Sequence, residues 1–135
     1  VSKNPKRADR RPVIVTLCGP GADADDCVAA LRALREVRLH STTSPEAAAA
    51  AVREERAALA VVASGSPEAW VEALLAATAA ASPPVPLLVL VAAGQPTPAR
   101  WTRAGVATLQ VPSSVLALAR TVTLLLEERA VHAAP

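Results

Sequence analysis

The sequence predicts one α/β domain on a parallel sheet. Strand-like and helix-like apolar patterns alternate strictly along the 135 residues, giving five β-α units in succession. Short loops join these units, so each crossover between parallel strands must carry a helix over the sheet. Three of the strand-like runs are apolar at nearly every position, as strands covered on both faces should be.

Val13-Ile-Val-Thr-Leu17 forms the first strand, and residues Asp25 to Glu36 place Val28, Leu31 and Leu34 at helical spacing. Val37–Thr42 alternates as a strand. Ser44-Pro-Glu then opens a helix through Arg56, with a serine cap and a proline in the first turn. Ala58–Ala63 is the third strand, followed by Ser66-Pro-Glu opening a helix to about Ala81. Pro86–Ala92 is a strand, Pro98–Ala104 a short helix, Val106–Val111 a strand, and Ser114 to about Arg129 a long helix.

The strands also reveal their places in the sheet. Val13–Leu17, Ala58–Ala63 and Leu87–Ala92 are apolar on both faces, whereas Val37–Thr42 carries Arg38 and His40, and Val106–Val111 carries Thr108 and Gln110. The second and fifth strands are therefore edges. The order 2-1-3-4-5 satisfies this, and it defines a flavodoxin-like (βα)5 three-layer sandwich. Residues 1–12 are expected to form a flexible basic tail, 13–129 the domain, and 130–135 the start of a linker or C-terminal tail.

Composition excludes several classes. A net charge of +2 is too small to argue for nucleic acid by itself, and the basic excess lies mostly in Lys3, Lys6, Arg7, Arg10 and Arg11. These residues read as a solvated tail, with a phosphate-binding arm as the functional alternative. No run approaches the about 18 uninterrupted apolar residues of a membrane span, and the N-terminus lacks a signal-peptide core, so a cytoplasmic protein with no membrane partner is expected. Cys18 and Cys27 match no zinc or redox spacing, which predicts packed thiols and no metal site or cofactor. Abundant Arg, Ala and Pro without Phe, Tyr or Met point to coding bias of a GC-rich, bacterial genome.

Three stretches carry a further signal: Thr43-Ser-Pro-Glu-Ala-Ala, Val85-Pro-Leu-Leu-Val-Leu-Val-Ala-Ala and, above all, Arg103-Ala-Gly-Val-Ala-Thr-Leu-Gln-Val-Pro112. On these residues, Val13 to about Glu128 resembles the receiver domain of bacterial response regulators. The resemblance implies a phosphoacceptor aspartate ending strand three, where this chain has Ala63 or, one residue on, Ser64. The implied switch hydroxyl falls near Val91 and the implied lysine at Val111, while Cys18-Gly19-Pro20-Gly21 replaces the acidic pair after strand one. Phosphoryl transfer needs an acceptor carboxylate, acids for Mg²⁺ and a cation on the phosphoryl oxygens. None of these matching positions supplies one. Asp23, Asp25 and Asp26 are conceivable displaced Mg²⁺ ligands, but acids at a helix start also meet the helix dipole favourably. The resemblance thus implies a pseudo-receiver: a non-enzymatic, phosphorylation-independent module of two-component signalling and transcription regulation, acting by protein–protein interaction or dimerisation.

Two other readings stay open. Leu17-Cys-Gly-Pro-Gly21 is similar to the phosphocysteine loop of phosphotransferase IIB domains, with Cys18 as nucleophile, although no Ser/Thr cluster or Arg follows and Pro20 removes one N–H. A small-molecule sensor would use the crevice at the strand ends, lined by Gly19, Gly21, Ser64 and Ser66. As for partners, Val115, Leu118, Ala119, Val122, Leu125 and Leu126 make the inward stripe of the last helix and leave Leu116 and Leu124 elsewhere, flanking Arg120. With Trp101 these residues are the expected homodimer seam, whereas Trp70 is expected in the core. No helix-turn-helix occurs, so a DNA-binding output domain or partner would lie outside this chain.

Overall fold

The computed structural model describes residues 11–18, 29–34, 37–81, 84–92, 94–111 and 115–133. Five strands, β1 (Val13–Leu17), β2 (Arg38–Thr42), β3 (Leu59–Val62), β4 (Leu87–Ala92) and β5 (Ala107–Val111), form one sheet in the order β2-β1-β3-β4-β5. Every neighbouring pair is parallel, with Leu17 facing both Thr42 and Val62, and Ala92 facing Val111. The carboxyl ends of all five strands therefore lie on one side of the sheet.

Helices cover both faces. They are α1 (described over residues 29–32), α2 (Pro45–Glu54), α3 (Glu68–Ala80), α4 (Ala99–Arg103) and α5 (Val115–Ala133). Strand residues alternate between two cores, as the period of two requires. Val13, Val15, Leu17, Ala60, Val62, Val89 and Val91 pack with Ala51 and Val52 of α2, Val71 and Leu74 of α3, and Trp101 of α4. Ile14, Leu59, Val61, Leu88 and Leu90 pack on the opposite face with Leu31 of α1 and Leu118 and Val122 of α5. The result is the three-layer sandwich. β1, β3 and β4 are buried along almost their whole length, while β2 and β5 hold only half-buried and exposed positions among their described side chains, as edges do.

The helix termini show how local chemistry sets the boundaries. Ser44 caps α2, its Oγ accepting from the Ala47 N–H at 3.2 Å, with Pro45 at the first helical position. The similar Ser66-Pro-Glu does not repeat this. Ser66 N–H instead donates to the Ala63 carbonyl at 3.4 Å across a turn with Gly65 at φ 86°, so α3 starts at Glu68 with Pro67 extended. A positive φ at the third turn position is the type II geometry that favours glycine. α2 ends at Glu54, two residues before the expected Arg56, because Arg56 adopts φ 53° and the Ala57 N–H returns to the Val52 carbonyl at 3.2 Å. α5 runs to Ala133, past the boundary expected at Arg129.

Candidate functional site

Parallel strands bring their carboxyl ends to one edge, and the residues singled out there do converge. The Ala63 N–H donates to the Leu17 carbonyl at 2.9 Å, which seats the residue after β3 beside the end of β1. Cys18 follows β1 and is tied to the far neighbour, its N–H donating to the Thr42 carbonyl at 2.9 Å. Ala63 is 1 % exposed and Cys18 6 % exposed, and the two pack on each other as a small apolar cluster. The Cys18 sulfur lies 4.0 Å from Ser41 Oγ. Val91, one residue before the end of β4, is also buried, and Val111 ends β5 opposite Ala92. The Val111 side chain lies outside the described residues.

At the ends of β1, β3 and β4 the side chains of Leu17, Cys18, Ala63 and Val91 are thus apolar and buried. Ser64 and Ser66 are half-buried in the turn after β3, the hydroxyl-bearing part of the expected crevice. Gly19, Gly21, Asp23, Asp25, Asp26 and Cys27 lie outside the described residues. Among the described residues no three His, Cys, Asp or Glu side chains cluster as a metal site would require. A pocket of about 620 Å³ occurs at the opposite edge, where the C-terminal end of α3 and the starts of β4 and β5 meet Leu125 and Glu128 of α5.

The expected interaction surface is corrected in one member. Leu116 and Leu124 are 64 % and 60 % exposed, and Arg120 between them is exposed as well. Four-residue steps advance only about 40° around a helix, so the three share a side, opposite buried Leu118 and Val122. Trp101 does not join them. It is 6 % exposed and belongs to the core beneath α2 and α3, on the other face of the sheet from α5. Trp70, expected in the core, is only half-buried against it.

Trp101 reveals a cluster that sequence reasoning missed. Its indole N–H donates to Glu72 Oε2 at 2.9 Å, and Arg100 Nε donates to the same oxygen at 2.8 Å. Arg100 also pairs with Glu68, one helical turn before Glu72 on α3. The indole bond, and then the Arg100 guanidinium, hold the Glu72 carboxyl below its ordinary value, and the Glu72 bond raises Arg100 in turn. The only sequence sign was the i, i+4 spacing of Glu68 and Glu72, which suggests a shared helix face but no partner. At the edge of the sheet, His40 Nδ1 of β2 lies 2.7 Å from Glu55 Oε2 at the end of α2.

The sheet order, the register and the two helical layers define a flavodoxin-like (βα)5 domain of the kind seen in CheY. No protein-family model and no curated protein matches the sequence. Solved structures do. A CheY-like response regulator receiver domain from Methanospirillum hungatei superimposes with a TM-score of 0.73 at 16 % identity, covering 90 % of this chain and 98 % of its own. The signal receiver domain of an HD domain-containing protein from Pseudomonas fluorescens gives 0.73 at 20 % identity, again covering 90 % of this chain and 98 % of its own. NtrX from Brucella abortus, solved with ADP, gives 0.71 at 18 % identity over 90 % of this chain and 28 % of NtrX. The chain thus has the fold of response regulator receiver domains, and among the described residues no helix is long and apolar enough to cross a membrane.

Proposed function

We propose that this chain is a receiver-like signalling module that works without phosphoryl transfer, by pairing with a second copy through α5. The observation that carries the reading is Ala63. Immediately after β3, where the receiver resemblance implies the phosphoacceptor carboxylate at Ala63 or, one residue on, at Ser64, stand a methyl group that is 1 % exposed and packed on Cys18 and then a hydroxyl, neither of them a carboxylate. An alanine side chain offers no oxygen to phosphorylate. Burial of Cys18 likewise supports a packed thiol over a phosphocysteine nucleophile, since phosphoryl transfer requires an accessible sulfur. A fold built to present helical surfaces retains that capacity when its chemistry is gone. The exposed leucines of α5 supply such a surface, and an output domain joined to this one, or a partner, would read its state.

Incubation with Mg²⁺ and acetyl phosphate, followed by intact-mass measurement, tests the core of this reading. The mass is expected to remain unchanged. Gain of one phosphoryl group would refute phosphorylation independence, and its mapping to Cys18 would favour the phosphotransferase reading.

A further inference from the structure

The outward side of α5 carries a charge pattern complementary to its own reverse. It holds Leu116, Arg120, Thr123, Leu124 and Glu127, all exposed. At 3.6 residues per turn, Arg120 and Glu127 fall within about 20° of one line along the helix, two turns and about 10 Å apart. Among the described residues neither has an ion-pair partner within the chain. Glu128, the other charged residue of α5 whose side chain is described, turns toward the pocket beside β5. The outward line thus presents a cation and an anion, with Thr123 and Leu124 midway between them.

Two copies of such a helix can pair about a two-fold axis in two ways. With the axis along the helices they run parallel, so Arg120 meets Arg120 and Glu127 meets Glu127, two repulsions across one seam. With the axis perpendicular they run antiparallel, and each Arg120 faces Glu127 of the second copy when the axis passes between residues 123 and 124. Both repulsions become attractions. Helix length selects the same register independently. α5 has 19 residues with Leu124 in the middle, so an axis beside Leu124 overlaps the two copies along nearly the whole helix, about 28 Å. Each charge lies only about 5 Å along the helix from that axis, which keeps the facing pairs within reach at crossing angles of about 20° or about 50°.

We propose that two copies of this chain pair through α5 in the antiparallel sense, with the two-fold axis beside Thr123 and Leu124 and two Arg120–Glu127 ion pairs flanking it. The inference rests on the α5 pairing proposed above and adds its direction and register, which the leucines alone leave undetermined. Leu124 stands at the centre of the seam, where apolar area is most fully removed from water. The leucines fit many apolar faces, whereas the charges restrict the match to a second copy.

Sedimentation equilibrium of the full chain tests this. Arg120→Glu and Glu127→Arg should each weaken self-association by about tenfold or more, because symmetry turns two attractions into two repulsions at once. The double variant Arg120→Glu, Glu127→Arg should recover wild-type association. An equimolar mixture of the two single variants should form heterodimers, since each supplies the charges that the other lacks. Both side chains are exposed, so every variant keeps the fold, which circular dichroism checks. If wild type dimerises and Leu124→Glu abolishes the dimer, but the single charge variants associate as wild type does, the antiparallel register is overturned while the pairing through α5 stands. A double variant that fails to recover would also overturn the register. Wild type that stays monomeric at high concentration overturns the pairing itself, and the register with it.

Discussion

Single residues decide the ends of this molecule's elements, and their contributions can be measured. Ser44 Oγ satisfies an N–H that α2 cannot satisfy itself, so Ser44→Ala should destabilise the domain by about 1 kcal/mol in urea unfolding. Arg56 occupies a left-handed conformation at the end of the same helix, where a side chain is strained and glycine is not. Glu72 combines two donors on one carboxylate oxygen, and its folded-state pKa is depressed. The stability it contributes is therefore present above the unfolded carboxylate value of 4.5 and disappears as pH falls through the lower folded value. Glu72→Gln should accordingly narrow the loss of stability on acidification below about pH 4.5, followed by tryptophan fluorescence across a pH series. An unchanged acid profile would show that the cluster contributes nothing net.

At the scale of elements, α4 is the least self-sufficient. Five residues make little more than one turn, which is marginal without tertiary support, and Pro98 provides no side-chain cap. Support comes from Trp101 and from the helix end. Gly105, at φ 83°, returns its N–H to the Thr102 carbonyl at 3.1 Å, and the Val106 N–H returns to the Trp101 carbonyl at 2.9 Å. That pattern closes the helix and sets Val106 against the core that holds Trp101. Trp101→Ala should destabilise the domain by about 3–5 kcal/mol, because it empties a buried site and removes the indole donor from Glu72. A change under about 1 kcal/mol would mean that α4 contributes little to folding. The α5 surface makes the opposite case: Leu116 and Leu124 are exposed and stand outside the two cores formed by the described residues. Leu124→Glu should leave the fold intact and shift a dimer to monomer in sedimentation, since a charge set against its two-fold copy would be desolvated without a partner. Wild type that sediments as a monomer at high concentration would refute the pairing.

For the whole molecule, the sheet order predicts where stability resides. β1, β3 and β4 are paired on both sides and covered on both faces, whereas among the described residues β2 and β5 are paired on one side only. Hydrogen exchange should therefore be slowest at Val13–Leu17, Leu59–Val62 and Leu88–Val91, with Arg38–Thr42 and Ala107–Val111 exchanging sooner. Equal protection in β2 would show that the edges open only with global unfolding. The same architecture separates three features in space. The carboxyl ends carry the buried Ala63 and Cys18, the opposite edge carries the pocket beside Leu125, and α5 presents Leu116 and Leu124 away from both cores.

Much of this was legible in the chain itself. Periodicity is a local property, and it determined the five β-α units, the three fully apolar strands and hence the order 2-1-3-4-5. It also separated Leu118 and Val122, which are buried, from Leu116 and Leu124, which are not. The absence of a carboxylate at Ala63 needed only the position of a strand end. What only the tertiary structure decided are the meetings between residues distant in sequence. Trp101 is one aromatic on a short polar helix, and nothing within five residues of it shows that Glu72, 29 positions earlier, accepts its indole N–H and that the ring is buried. Arg38 Nε and the Arg11 carbonyl, 27 positions apart, meet only because β1 and β2 start in register. Even the two Ser-Pro-Glu triplets differ, because the first follows an edge strand into a capped helix while the second is drawn back by the Gly65 turn. Sequence pattern records which face of an element is apolar; which side chains then meet is set by packing the elements together, a condition that no single segment contains.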